Sequence, residues 1–138
     1  MSETETKAAP MTRPIPAPAV SVETKPFWDA AAEGRFLIKR CEACGKAHWY
    51  PRAICPHCFS SDTVWEESPG EGVIYTYSVM HRNTPVPYAI AYVNLDEGPA
   101  VLTNIIDYDA STLKIGARVK VKWTPTEGGS PVFTFAPV

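Results

Sequence analysis

This 138-residue sequence predicts a mainly β chain: a short helix leads into a cysteine-clamped ribbon, which is followed by a five-stranded barrel. Three observations carry that expectation. Two C-x-x-C units lie ten residues apart, five segments beyond residue 70 alternate apolar and polar side chains at period two, and one aromatic stretch is bracketed by helix start and stop signals.

Composition narrows the function classes. Thirteen Lys+Arg against fifteen Asp+Glu give a formal charge of −2, without the basic footprint that duplex DNA binding leaves. No apolar run approaches the roughly 20 residues needed to span a bilayer. The N-terminus begins with acids and prolines and lacks the apolar core of a secretory signal, so the expected location is the cytoplasm.

Residues 1–22 hold four prolines between Pro10 and Pro18 and few large apolar side chains. Proline fixes φ and removes a donor, so this stretch is expected to be a disordered, extended tail. Thr24 then reads as an N-cap, Pro26 suits the first helical turn, and Gly34 suits the position past the end. Phe27, Trp28, Ala31 and Ala32 would line one side of this helix. Two turns are marginal alone in water, so the helix must pack on something. Residues 36–40 continue as a short strand into Cys41. The helix and ribbon together occupy residues 23–66, and the barrel occupies 67–138.

In the barrel segment, Val73, Tyr75, Tyr77 and Val79 share one strand face, opposite Ile74, Thr76, Ser78 and Met80. Further strands follow at 88–95, 100–107, 117–123 and 132–136. In the fourth, Val119, Val121 and Trp123 point inward while Arg118, Lys120 and Lys122 face out. Five strands of this length leave exposed edges unless they close, so an OB-like barrel is the expected solution.

Cys41, Cys44, Cys55 and Cys58 are the only cysteines. Each C-x-x-C places two sulfurs on one tight turn, and two such knuckles supply four thiolates for a tetrahedral ion. Structural zinc leads over a rubredoxin-like iron, because the gap is short for a rubredoxin, and over a redox dithiol, which would leave one pair idle. His48 and His57 are alternative ligands within the loops. Lys39, Arg40, Lys46 and Arg52 flank the knuckles and would favour thiolate. With four sulfurs bound, the ion has no open position and acts as a staple whose binding supplies folding free energy. Trp49, Tyr50 and Ile54 are the expected packing residues of the ribbon.

No nucleophile elbow, Walker glycine loop or H-E-x-x-H motif is present, so no catalytic residue is assigned. His81, Arg82 and Asn83, in a loop stiffened by Pro85 and Pro87, would offer a cation and donors to a phosphate or carboxylate, and Lys114 is a further candidate cation.

The combination of the aromatic helix, CEACG, YPR before CPHC, GEGVIYTYSVMHR, LDEGP and IGARV resembles the zinc-ribbon/OB-fold family associated with acyl-CoA enzymes, over about residues 24–136. The family often has two prolines before the arginine, where this chain has Tyr50-Pro51. The resemblance implies a rubredoxin-like zinc ribbon with Cys41, Cys44, Cys55 and Cys58 as ligands, followed by an OB barrel. It also implies a non-catalytic accessory subunit of a thiolase-fold enzyme, near its acyl-CoA. Phe27, Trp28, Trp49 and Tyr50 are then the candidate partner interface, since aromatic residues are enriched at interface cores. Two rivals remain. One is a single-stranded nucleic-acid module, disfavoured by net charge and by Trp123 facing away from Lys120 and Lys122. The other is a free-standing acyl-CoA-binding protein.

Overall fold

The computed structural model describes residues 14–84 and 86–138. Helix α1 (Lys25–Ala31) starts after Thr24 with a proline in its first turn, where the missing donor costs nothing. The Thr24 hydroxyl pairs with that of Ser21 rather than capping the helix. Phe27, Trp28, Ala30 and Ala31 form the buried side. Ala32, expected on that side, is an exposed C-cap, because the helix ends one residue earlier and the chain reverses at Gly34 (φ +79°).

Strand β1 (Phe36–Cys41) runs antiparallel between β2 (Ala47–His48) and β3 (Thr63–Ser68). Phe36, Leu37, Ile38 and Lys39 are all buried, so both faces of β1 are covered. Lys39 is covered by Trp65, with Nζ 4.5 Å from the ring centroid and 3.2 Å from Thr63 Oγ1. The expected domain boundary at residue 66 falls inside β3.

The barrel comprises β4 (Glu71–Met80), β5 (Tyr88–Leu95), β6 (Ala100–Ile105), β7 (Arg118–Thr124) and β8 (Val132–Pro137), in the closed order β4-β5-β6-β8-β7. Every pairing is antiparallel except β6 with β8, which meet at Ile105 and Phe135. This is the five-stranded OB arrangement expected. The strict alternation expected along β4 fails at one place. A bulge between Ile74 and Thr76 inserts an extra residue and shifts the parity, leaving Tyr75 and Thr76 both exposed after a buried Ile74.

The helix, ribbon and barrel share one core. Phe27 is its hub, with ring centroids 4.7 Å from Trp49, 5.8 Å from Phe36 and 5.9 Å from Phe133, so all three parts meet around a single side chain. Of the expected tail, residues 1–13 lie outside the described residues. Residues 15–17 lie against the β7–β8 connection, where the Glu127 amide donates to the Ile15 carbonyl at 2.9 Å and Ala17 abuts Gly129. An extended, proline-bound segment still offers carbonyl acceptors, and that turn uses one of them. Among the described residues, no helix is long and apolar enough to cross a membrane.

Phe27→Ala should cost about 3–5 kcal/mol in denaturant unfolding, as for other buried aromatics truncated in a packed core. Gly72→Ala would drive a Cβ into the Asn94 carbonyl across the β4–β5 ladder. It should cost about 1–3 kcal/mol, measured the same way.

Candidate metal centre and its surroundings

Strand β1 delivers Cys41 into a turn that Gly45 closes at φ +81°, its amide donating to the Cys41 carbonyl at 2.8 Å. The second knuckle repeats the geometry: the Phe59 amide donates to the Cys55 carbonyl at 2.9 Å. The two turns bring Cys41 Sγ to 3.6 Å from Cys58 Sγ and Cys44 Sγ to 3.8 Å from Cys55 Sγ, and all four sulfurs lie within 4.8 Å of one another. A tetrahedral ion with metal–sulfur bonds of about 2.3 Å requires sulfurs about 3.8 Å apart, so this donor set fits one. Main-chain amides of Cys44 and His57 approach Cys41 Sγ and Cys55 Sγ at 3.5 and 3.3 Å.

Thiols this close resist ionising together. Burial pushes the Cys55 thiol up, but the amides of Cys58 and His57 outweigh it and bring it down to about 7. The Ser60 amide draws Cys58 down, yet the three neighbouring thiols and burial push it up to about 12. A cation at the centre removes that conflict.

Among the described residues, the four cysteines form the one group of three or more potential ligands gathered at a point. His48, an alternative ligand in the sequence, is buried elsewhere. It borders a cleft of about 610 Å³ between the ribbon and the β5–β6 turn, together with Arg40, Lys46, Trp49, His57 and Glu97. Burial lowers its pKa, and both ring nitrogens are sealed from solvent without a hydrogen-bond partner. The cleft had no signal in the sequence. The expected cationic collar around the sulfurs is also thinner than foreseen. Lys39 lies under Trp65, while Arg40 pairs with Glu66 at 2.7 Å and reaches the knuckle only through the Gly45 carbonyl at 2.9 Å.

The four aromatics expected at a partner interface separate. Phe27 (0% exposed) and Trp28 (7%) are spent inside the chain, and Trp49 packs on Phe133 at 5.2 Å. Tyr50 alone is exposed, because the barrel offers the other three an apolar surface within their own molecule. Ile54, expected to pack within the ribbon, is 47% exposed.

His81, Arg82 and Asn83 are exposed at the tip of the β4–β5 hairpin, with no ion pair to Arg82 among the described residues; Pro85 lies outside those residues. Lys114 is not brought to them. Its loop is pinned to the middle of β4 by the Gly116 amide on the Ile74 carbonyl (2.8 Å), seven extended residues or roughly 20 Å from His81. The outward cations of β7 are paired: Arg118 with Asp96 at 2.8 Å, Lys122 with Asp107, and Lys120 near Glu71.

A four-cysteine ribbon fused through a shared core to a closed five-stranded barrel defines a zinc-ribbon/OB-fold protein. Family models described as the ChsH2 rubredoxin-like zinc ribbon domain and the ChsH2 C-terminal OB-fold domain match residues 28–64 and 65–124, and the chain belongs to the ChsH2 (DUF35) family. It is 32% identical over 126 residues to a probable enoyl-CoA hydratase alpha subunit of Thermomonospora curvata, covering 88% of this chain and 40% of that protein. It is 36% identical over 88 residues to a DUF35 domain-containing scaffold protein of Methanocaldococcus jannaschii, covering 59% of this chain and 62% of that one. The chain thus spans less than two thirds of either relative. Among solved structures it is similar to a chain of the Ltp2-ChsH2(DUF35) aldolase, with a TM-score of 0.74 and 31% identity over 87% of this chain and 98% of that one.

Cys55→Ser should cut bound metal from one equivalent per chain to near zero by elemental analysis. It should also increase the solvent exposure of Trp49 in fluorescence quenching, since the ribbon loses its clamp while the barrel core stays intact.

Proposed function

We propose that this protein is a non-catalytic accessory subunit of a thiolase-type acyl-CoA enzyme (a thiolase, aldolase or acyltransferase complex). In this reading it holds one structural zinc on Cys41, Cys44, Cys55 and Cys58 and supports assembly and the acyl-CoA site of a thiolase-fold large subunit. The observation that carries the reading is its likeness, along nearly the whole of that chain, to the ChsH2 component of an aldolase assembly. The scaffold name of an archaeal relative and the hydratase-subunit name of a bacterial one point the same way. The zinc is closed to substrate by four thiolates, so it stabilises without polarising a carbonyl. All four cysteines belong to that cluster, so the nucleophile of any thioester chemistry comes from the large subunit. The hairpin-tip residues His81, Arg82 and Asn83 are the proposed contacts to the anionic part of the CoA ester.

A nucleic-acid module is the weaker reading. Single-strand binding needs free cations along a groove with exposed stacking rings. Here the cations of β7 are engaged by acids, and Trp123 sits 6.1 Å from Phe36 in the shared core.

Co-expression with a thiolase-fold large subunit should yield a stable complex, with thioester turnover requiring the large subunit. A large subunit that stays soluble and fully active alone, and never co-purifies, overturns the proposal. Within the complex, Arg82→Ala should raise KM for the CoA ester about tenfold, the loss of one charge-assisted hydrogen bond, with Tm unchanged.

A further inference from the structure

The two metal knuckles make the same backbone demand and answer it differently. The residue after the second cysteine of each is left-handed, which turns the chain back so that the next residue's carbonyl (Lys46, Ser60) accepts from the first cysteine's amide at 2.9 Å. The first knuckle places Gly45 there (φ +81°), which meets the demand without strain. The second places Phe59 there, at φ +67°. Among the described residues, only Asn83 and Asp107 share a positive φ without being glycine, and their short polar side chains tolerate it. A phenylalanine does not, and strain of this kind persists where something outside the local turn makes use of it.

Among the described residues, no ring packs on Phe59. The Phe59 side chain is 78% exposed and makes no ring contact with any described residue, although twelve aromatic pairs are packed elsewhere. Ile54, one residue before the same knuckle, is 47% exposed, and Tyr50 is 45% exposed. The Cys55 amide on the Ser60 carbonyl (2.9 Å) closes the turn, so residues 54 and 59 stand at its two ends on a base clamped by the sulfurs. Two residues before Ile54 in the chain, Arg52 is exposed and forms no ion pair among the described residues. A turn that projects an apolar ring, with an unpaired cation in the segment leading into it, complements an apolar pocket with an acidic rim.

We propose that Phe59 is the anchor by which the ribbon docks on its enzyme subunit, inserting into an apolar pocket whose acidic rim meets Arg52. This inference rests on the accessory-subunit reading and adds to it the contact that carries the affinity. A preset ring on a metal-stapled turn loses little freedom on binding, which is why the strained residue is worth keeping.

The test uses the full zinc-loaded chain, the thiolase-fold subunit that co-purifies with it, and the variants Phe59→Gly, Phe59→Asn and Arg52→Glu. Phe59→Gly and Phe59→Asn relieve the strained φ and remove no buried contact, so Tm should equal or exceed that of the wild type, with zinc content unchanged. Both should weaken binding to the enzyme subunit at least tenfold by calorimetry, and Arg52→Glu should weaken it several-fold, chiefly through slower association. An unchanged Kd for the Phe59 variants overturns the inference while leaving the accessory role standing. A Tm lowered by several degrees, with zinc loss, shows the ring to be structural and overturns it too. A wild-type chain that binds no enzyme subunit overturns both readings together.

Discussion

Four sulfurs held within 4.8 Å of one another are the constraint on which the ribbon depends. Its sheet consists of two six-residue strands and a two-residue one, too little apolar surface to offset the entropy of ordering the two long turns between them. Each turn is closed by a pair of main-chain hydrogen bonds at its first cysteine, and what holds the two turns to each other is a common centre for the sulfurs. Without a cation, the cluster carries its own opposition: one thiol ionises readily and another is driven far up by its neighbours. A cation bound there would resolve that electrostatic conflict and hold the two turns at the end of β1 together.

Stiffness at the sulfurs passes to the barrel through aromatic packing rather than through ion pairs. Phe36, at the opposite end of β1 from Cys41, meets Phe135 edge-on at 6.1 Å, and Phe27 brings in the helix, which at seven residues would not persist alone. The ion pairs of Arg118 and Lys122 lie on the surface, where such contacts contribute little to stability. Helix, ribbon and barrel are therefore two sheets in topology but one body in energetics, and a side chain at their junction is felt in all three.

What was legible in the sequence was local. The cysteine spacing, the period-two strands, Pro26 before the helix and Gly34 after it are each decided by a few neighbouring residues, and all appear where expected. The roles of Phe27 and Trp28 were misread because an aromatic residue on a short helix looks the same whether it faces its own barrel or a partner; only the β8 ring of Phe133 decides, and it lies about a hundred residues away in the chain. Lys114 and Arg82 looked alike as loop cations, but the pinning of Gly116 to Ile74 separates them. The bulge at Tyr75 left no mark, since an inserted residue within the uncharged stretch 72–80 disturbs no obvious pattern. Phe59 escaped notice for the opposite reason: a left-handed position is normally recognised by the glycine that fills it, and here the glycine is missing.

The surface chemistry of the barrel is divided in the same unadvertised way. Residues 72–80, 88–95 and 100–106 contain no charged side chain, and their outer face exposes Ile90, Tyr92 and Leu102. On β7 the charges are present but neutralised by Asp96, Asp107 and Glu71. A phosphate backbone would find few free cations on either side to displace its condensed counterions. Protein partners are served better by such a distribution, because interface cores are depleted of charge and enriched in aromatic and apolar groups. Among the described residues, the second knuckle carries a strained, solvent-facing ring at Phe59, and the segment leading into it carries the unpaired, exposed Arg52. There the rigidity built by the sulfurs and the chemistry suited to recognition coincide.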